Sequence, residues 1–309
     1  MNAAPTFAEF FANWPIFRDA VLTGVLAGAL LGFLGVQVVL RRMVFASSAI
    51  AQAAALGVAL SFWVPAAIDP VGHAARHAAS PGVHVSSLFS EPVLWALGSS
   101  LLATLAFIAN PIKLHLTRES ILGVVFLASG AGAVIIGDRI TQETHDLAAI
   151  LFGSAVVVPR SDLISVAVAA VVLLGAHVAF FRPLVFVAFD PIGARVQGLP
   201  VGRLNGFVFL AIGTAVALCT RAMGALPVFA FSVLPAMAAL ALTSNLTAVF
   251  FLATGIGALS GAAGYAISFR GELPVGATQT AFAVGVLALA LGRRAIERLF
   301  QHHQGEGQR

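Results

Sequence analysis

The chain has 309 residues, 59% of them hydrophobic and only 10% charged, with a mean hydropathy of +0.97. Soluble globular domains carry about 25% charged and about 45–50% apolar residues, so this composition excludes a water-soluble enzyme and a disordered chain. The net charge of +4 comes from 17 Lys and Arg against 13 Asp and Glu spread thinly along the sequence, which is not the clustered basic patch of a nucleic-acid binder. A single cysteine, Cys219, excludes an internal disulfide and a cysteine-based zinc cluster. What remains is an all-α polytopic membrane protein.

In chain order, the first segment carries Glu9, Arg18 and Asp19 with no basic stretch ahead of a short apolar core, so it does not read as a cleaved signal peptide. A helix needs about 20 mostly apolar residues to cross the hydrocarbon core. That length predicts about nine spans (eight or nine): Ala20–Leu40, Met43–Ile68, Val93–Ile112, Ser120–Gly137, Leu163–Phe181, Leu204–Thr220, Ala222–Leu242, Leu246–Phe269 and Leu273–Gly292. Leu147–Val158 is too short to cross and reads as a re-entrant or interfacial segment. Span one carries Gly24, Gly28 and Gly32 at intervals of four, and span eight carries Gly257 and Gly261, which suits close helix packing within the chain. Pro227 and Pro235 in span seven each remove a backbone donor, so a kink or break there marks a candidate pathway element. Residues 1–292 read as one transmembrane domain. The tail 293–309 begins as a basic amphipathic helix and ends in HHQGEGQR, expected to be disordered.

Basic residues in short loops set orientation. With Arg41 and Arg42 cytoplasmic, nine spans put the N-terminus outside and the C-terminus inside, which also leaves the Arg293–Arg294 pair inside.

The missing chemistry is informative. No GxxxxGK[ST] occurs and the only lysine, Lys113, lies in NPIKLH, so the chain has no phosphate-cradling loop of its own. Neither HExxH nor GxSxG is present, which leaves intramembrane hydrolysis without an apparatus. No covalently bound cofactor is implied. The spans hold no carboxylate, which argues against a carrier driven by protons or sodium ions. His177, alone within a span, is expected to make a structural hydrogen bond. In the outer loop, His73 and His77 are four apart and on a helix could share a face toward a metal such as zinc, but no carboxylate completes the set.

Four stretches then resemble the metal-type ABC permeases, the membrane subunits of zinc, manganese and iron importers. Leu40-Arg41-Arg42-Met43 leads into a small-residue helix; Leu151-Phe152-Gly153 is similar to the family's LFG segment. Phe189-Asp190-Pro191-Ile192-Gly193-Ala194-Arg195 on to Gly198 resembles its cytoplasmic coupling segment, here about 188–203. Met223-Gly224-Ala225-Leu226-Pro227 running on to Leu234-Pro235-Ala236 resembles its late proline-bearing helix. The likeness covers about residues 15–292 and implies a type II-like importer in the cytoplasmic membrane. It also implies a permease homodimer, two ATPase subunits that supply ATP hydrolysis, and an extracytoplasmic metal-binding protein. Asp190, Pro191, Gly193, Ala194, Arg195 and Gly198 would dock into the ATPase, with Asp190 as N-cap, Pro191 at the first helical position and Gly198 as the stop.

One departure bears on cargo. Where the family carries an acid and a histidine in the second helix, this chain has Ser48 and Gln52, and Leu56 stands where a proline is expected. The polar or helix-breaking positions Ser47, Ser48, Gln52, Ser232 and Pro235 are therefore the pathway candidates. A permease for a divalent transition metal is the leading expectation; a permease for another cargo, an ion-coupled secondary transporter and a non-transporting scaffold remain the alternatives.

Overall fold

Backbone groups inside lipid have no water to bond and must pair within their own segment. The computed structural model, which describes residues 7–68, 91–109, 118–139 and 157–306, is accordingly helical, with no strand among the described residues. The elements are α1 (Phe7–Ala12), α2 (Trp14–Leu40), α3 (Val44–Ile68), α4 (Glu91–Ala109), α5 (Arg118–Arg139), α6 (Arg160–Ala179), α7 (Phe181–Phe189), α8 (Pro191–Val196), α9 (Val201–Met223), α10 (Ala225–Phe231), α11 (Leu234–Leu242), α12 (Leu246–Gly271) and α13 (Val275–Glu306). Among the described residues, eight segments are long and apolar enough to cross a membrane, α10 and α11 counting together as one; α4 adds a shorter apolar helix over Pro92–Ile108. This is a multi-pass membrane protein. His73, His77, Lys113, the Leu151-Phe152-Gly153 stretch and nearly all of the predicted re-entrant segment lie outside the described residues.

The tightest junction is between α2 and α12, which run antiparallel so that their small residues face one another. A Cβ added to Gly28 would lie 2.2 Å from the Gly257 carbonyl oxygen, and one added to Gly257 would lie 2.0 Å from that of Gly28. The same step of four pairs Gly24 with Gly261 and Gly32 with Ala253. The two glycine ladders read in the sequence are thus each other's partner, and the contact is backbone against backbone. Around this pair pack α6, α11 and α13, while α3 gathers α4 and α5 into a second group; α9 and α10 touch both groups.

Three boundaries differ from expectation, two of them for identifiable physical reasons. Helix α2 starts six residues earlier than the predicted span, because Arg18 and Asp19 pair with each other at 3.1 Å and so tolerate a place inside the helix. Ala222 and Met223 belong to α9, which stops at Gly224 because its φ of +89° takes the chain out of helical geometry. Helix α13 continues to Glu306, through most of the tail expected to be disordered.

At one end of the bundle Arg221 Nη1, closing α9, meets Asp162 Oδ1, opening α6, at 2.5 Å, and both side chains are largely buried. This pins two spans that the alternating topology places on the same side.

Substitution of Gly28 by Val should leave little folded protein in detergent, as size-exclusion profiles and thermal unfolding would show, whereas Gly255→Ala, which meets nothing within 4 Å, should fold normally. Removing one partner of a buried ion pair costs roughly 3–5 kcal/mol. Asp162→Asn should therefore lower thermal stability markedly, and the exchanged pair Asp162→Arg with Arg221→Asp should recover part of it.

Candidate pathway and coupling segment

The helix expected to kink in span seven is broken between α10 and α11. Pro227 falls on the third residue of α10, where an amide has no helical partner to lose, so it opens a helix instead of bending one. The break belongs to Pro235, second in α11, which offers no amide to the Phe231 carbonyl. Just before it, the Val233 amide donates to Ala230 O at 3.2 Å, one residue short of the α-helical acceptor, which frees the Phe229 carbonyl. Ser232 Oγ takes over that carbonyl at 2.7 Å. On the other side of the break, a Cβ at Gly35 of α2 would lie 2.4 Å from the Ser232 carbonyl oxygen, so α2 holds the unwound turn by direct backbone contact.

This geometry brings two of the predicted pathway residues together. Ser232 Oγ and Ser47 Oγ of α3 stand 3.1 Å apart and both residues are buried. The proton of Ser47 goes to the Val44 carbonyl at 2.8 Å, so Ser232 is the donor between helices and its single proton is shared with Phe229 O. Ser48 is also buried. Gln52 turns to a different neighbour: its Oε1 lies 3.5 Å from where a Cβ of Gly130 would be, on α5, and Leu56 one turn later fits beside Gly132 in the same way. Pro235 is buried on α11, which packs on α2, α12 and α13. The five candidates thus fall into a Ser47–Ser232 contact, the neighbouring buried Ser48, a Gln52 face toward α5 and a proline that shapes the break. No group of three or more His, Cys, Asp or Glu able to hold a metal occurs among the described residues. The donors on offer are neutral hydroxyl, amide and carbonyl oxygens, suited to brief passage of a hard or borderline cation and poor at retaining one.

His177 behaves as expected, with Nδ1 2.9 Å from the Leu173 carbonyl, which puts the proton on that nitrogen. Its Nε2 is buried without a hydrogen-bond partner among the described residues, between the rings of Phe33 and Phe207.

The candidate coupling segment has the local geometry read from its sequence. Asp190 Oδ1 accepts the Gly193 amide at 2.8 Å as N-cap of α8, and Pro191 follows. A Cβ on Gly193 would lie 2.1 Å from Asp190 Oδ2, so only glycine leaves room for this cap. Gly198, at φ +81°, closes the helix: its amide reaches Arg195 O and that of Leu199 reaches Ala194 O, both at 3.0 Å. Ala194 faces inward, fully buried. On the opposite face Ile192 is 75% and Val196 84% exposed, one turn apart, with Phe189 exposed beside them. The exposed surface therefore sets apolar Ile192 and Val196 beside the exposed Arg195 and Gln197.

Sequence reasoning missed Arg41 as a site residue. Met43 N donates to Val38 O and Arg42 N to Val39 O, a Schellman end to α2 with Arg42 at φ +56°. That turn aims Arg41 inward, where its Nε is 3.3 Å from Gln37 Oε1, its Nη2 3.2 Å from the Leu184 carbonyl of α7, and its Nη1 meets Asn205 Oδ1 of α9. The available signal was Asn205, an amide two residues after Arg203 in the first turns of α9.

The comparisons with known proteins agree with this architecture. The ABC 3 transport family matches residues 13–69 and 68–293. The chain is 24% identical over 291 residues to the manganese transport system membrane protein MntC of Halalkalibacterium halodurans, covering 94% of this chain and 91% of that one. It is 27% identical over 284 residues to MntC of Listeria monocytogenes, covering 92% of each. The solved structure of PsaBC from Streptococcus pneumoniae in complex with Fab shares the fold, with a TM-score of 0.76 at 22% identity, covering 92% of this chain and 95% of that one. A helical bundle with this break and this capped segment, matched over nearly its whole length, belongs to the ABC 3 transport family and is a metal-type ABC transporter permease.

Proposed function

We propose that this protein is the membrane-spanning subunit of an ABC importer that carries a divalent transition metal, manganese first, across the cytoplasmic membrane, with ATP hydrolysed by a separate subunit. The observation that carries the reading is α8: a short helix, capped at both ends, that exposes Ile192 and Val196, with Phe189 at the end of α7 exposed beside them. An exposed apolar knob on a rigid helix is the shape that fits a partner's groove. A permease whose sequence offers no nucleotide-binding loop needs such a partner to deliver force.

Orientation follows from the same end of the molecule. Arg41 bonds α7 and α9 directly, so the basic turn after α2 and α8 lie on one side. The excess of basic residues there favours the cytoplasm, with the N-terminus outside and the C-terminus inside. The assembly we infer is a permease homodimer with two ATPase subunits and an extracytoplasmic metal-binding protein.

Donors and relatives together point to the cargo. Ser47, Ser48, Ser232 and Gln52 present oxygen without thiolate or imidazole, a set that suits manganese better than zinc. The relatives named as manganese transport proteins point the same way. The path we assign runs along the Ser47–Ser232 contact and the Gln52 face, with Pro235 keeping the helix open between them.

Two variants test the parts separately. Ile192→Asp with Val196→Asp should abolish co-purification with the ATPase subunit while the permease still inserts and folds; unchanged co-purification would remove α8 as the docking element. Gln52→Leu should lower ATP-dependent manganese uptake in proteoliposomes by about tenfold, or about 1.4 kcal/mol, with assembly intact. Uptake at the unsubstituted rate would take Gln52 out of the path, and uptake of zinc or iron in place of manganese would reassign the cargo.

A further inference from the structure

The two ends of the bundle are tied in chemically different ways. Where α6 meets α9, Asp162 and Arg221 form a buried ion pair, and separating them would strand two charges. At the opposite end Arg41 is half-buried, yet each acceptor it reaches in the described residues is a neutral oxygen: the amides of Gln37 and Asn205 and the carbonyl of Leu184. Burial lowers its pKa to about 10, so it keeps its proton at neutral pH. Neutral acceptors hold a guanidinium by charge–dipole bonds that can be exchanged one at a time, whereas a carboxylate would lock it. The planar fork lets one side chain reach three helices at once, which the single point charge of lysine cannot match.

The connectivity gives these bonds a direction. Leu184 is buried on α7, the helix that runs straight into Asp190 and α8. Asn205 lies on α9, just after the Gly198 turn that closes α8. On the far side of Arg41, the Schellman turn through Arg42 and Met43 leads directly into α3, whose first turns carry Ser47 against Ser232. Both flanks of the docking helix therefore reach the start of α3 through one side chain. From this we infer that Arg41 is a positioning residue that transmits movement of the α7–α8–α9 segment to α3 and so to the Ser47–Ser232 contact at the helix break. This role rests on the coupling function proposed for α8.

The test uses the full complex of permease, ATPase subunits and binding protein in proteoliposomes, with manganese uptake and ATP hydrolysis measured on the same vesicles. Arg41→Gln and Asn205→Leu should leave co-purification with the ATPase intact and hydrolysis within about twofold, while uptake per ATP falls about tenfold, a change of about 1.4 kcal/mol in coupling. Arg41→Lys, which keeps the charge and loses the fork, should restore only part of it. A second readout does not depend on cargo: in a Cys219→Ala background, the thiol introduced by Ser232→Cys should react at a rate that changes several-fold on adding ATP, and Arg41→Gln should erase that change. Unaltered uptake per ATP, a parallel loss of uptake and hydrolysis, or an ATP response that survives Arg41→Gln would overturn the role of Arg41. If Arg41→Gln fails to fold, Asn205→Leu carries both readouts. Absence of uptake by the unsubstituted complex would instead refute the cargo assignment, and the thiol readout would still decide the fate of Arg41.

Discussion

Lipid tails are as apolar as leucine, so hydrophobic burial cannot press two helices together inside a bilayer and close packing has to do it. In this chain that requirement is met by α2 and α12, whose Gly28 and Gly257 approach so closely that neither has room for a methyl group. The rest of the molecule is arranged about that contact. With α2 fixed, Gly35 two turns beyond meets the carbonyl of Ser232 and holds the unwound turn of the α10–α11 pair in place. The C-terminal end of α2 then sets where Arg41 points.

A broken helix in a membrane has to satisfy its loosened backbone groups from nearby. Ser232 does this with its own hydroxyl, covering the Phe229 carbonyl, and the same hydroxyl reaches Ser47 on α3. One proton is divided between keeping the break and joining two helices. A site built in this way is easily rearranged, because each bond is neutral and short-range. Among the described residues it has no group of charged ligands able to hold a cation.

The α8 segment shows the opposite economy. Both of its ends are fixed by side-chain or backbone bonds before any partner arrives, through Asp190 at the start and the Gly198 turn at the finish. The short helix is therefore fixed at both ends while Ile192 and Val196 stay exposed.

Sequence alone determined the elements whose cause is local. Apolar length set the spans, Asp190, Pro191 and Gly198 set the limits of α8, and the steps of four between glycines announced close packing, because each rule operates within a few residues of chain. Only the tertiary structure decided which ladder meets which, that Pro227 opens a helix while Pro235 breaks one, and that Ser47 touches Ser232 while Gln52 faces Gly130. Arg41 was legible as a positive charge at a helix end, yet its acceptors come from residues far along the chain at Leu184 and Asn205, and no local pattern encodes such a meeting. Hydrophobic periodicity tells a segment to be a helix in lipid, but in a medium where every face is apolar it does not say which face turns inward. That choice is made by the fit between helices, which exists only once they are packed.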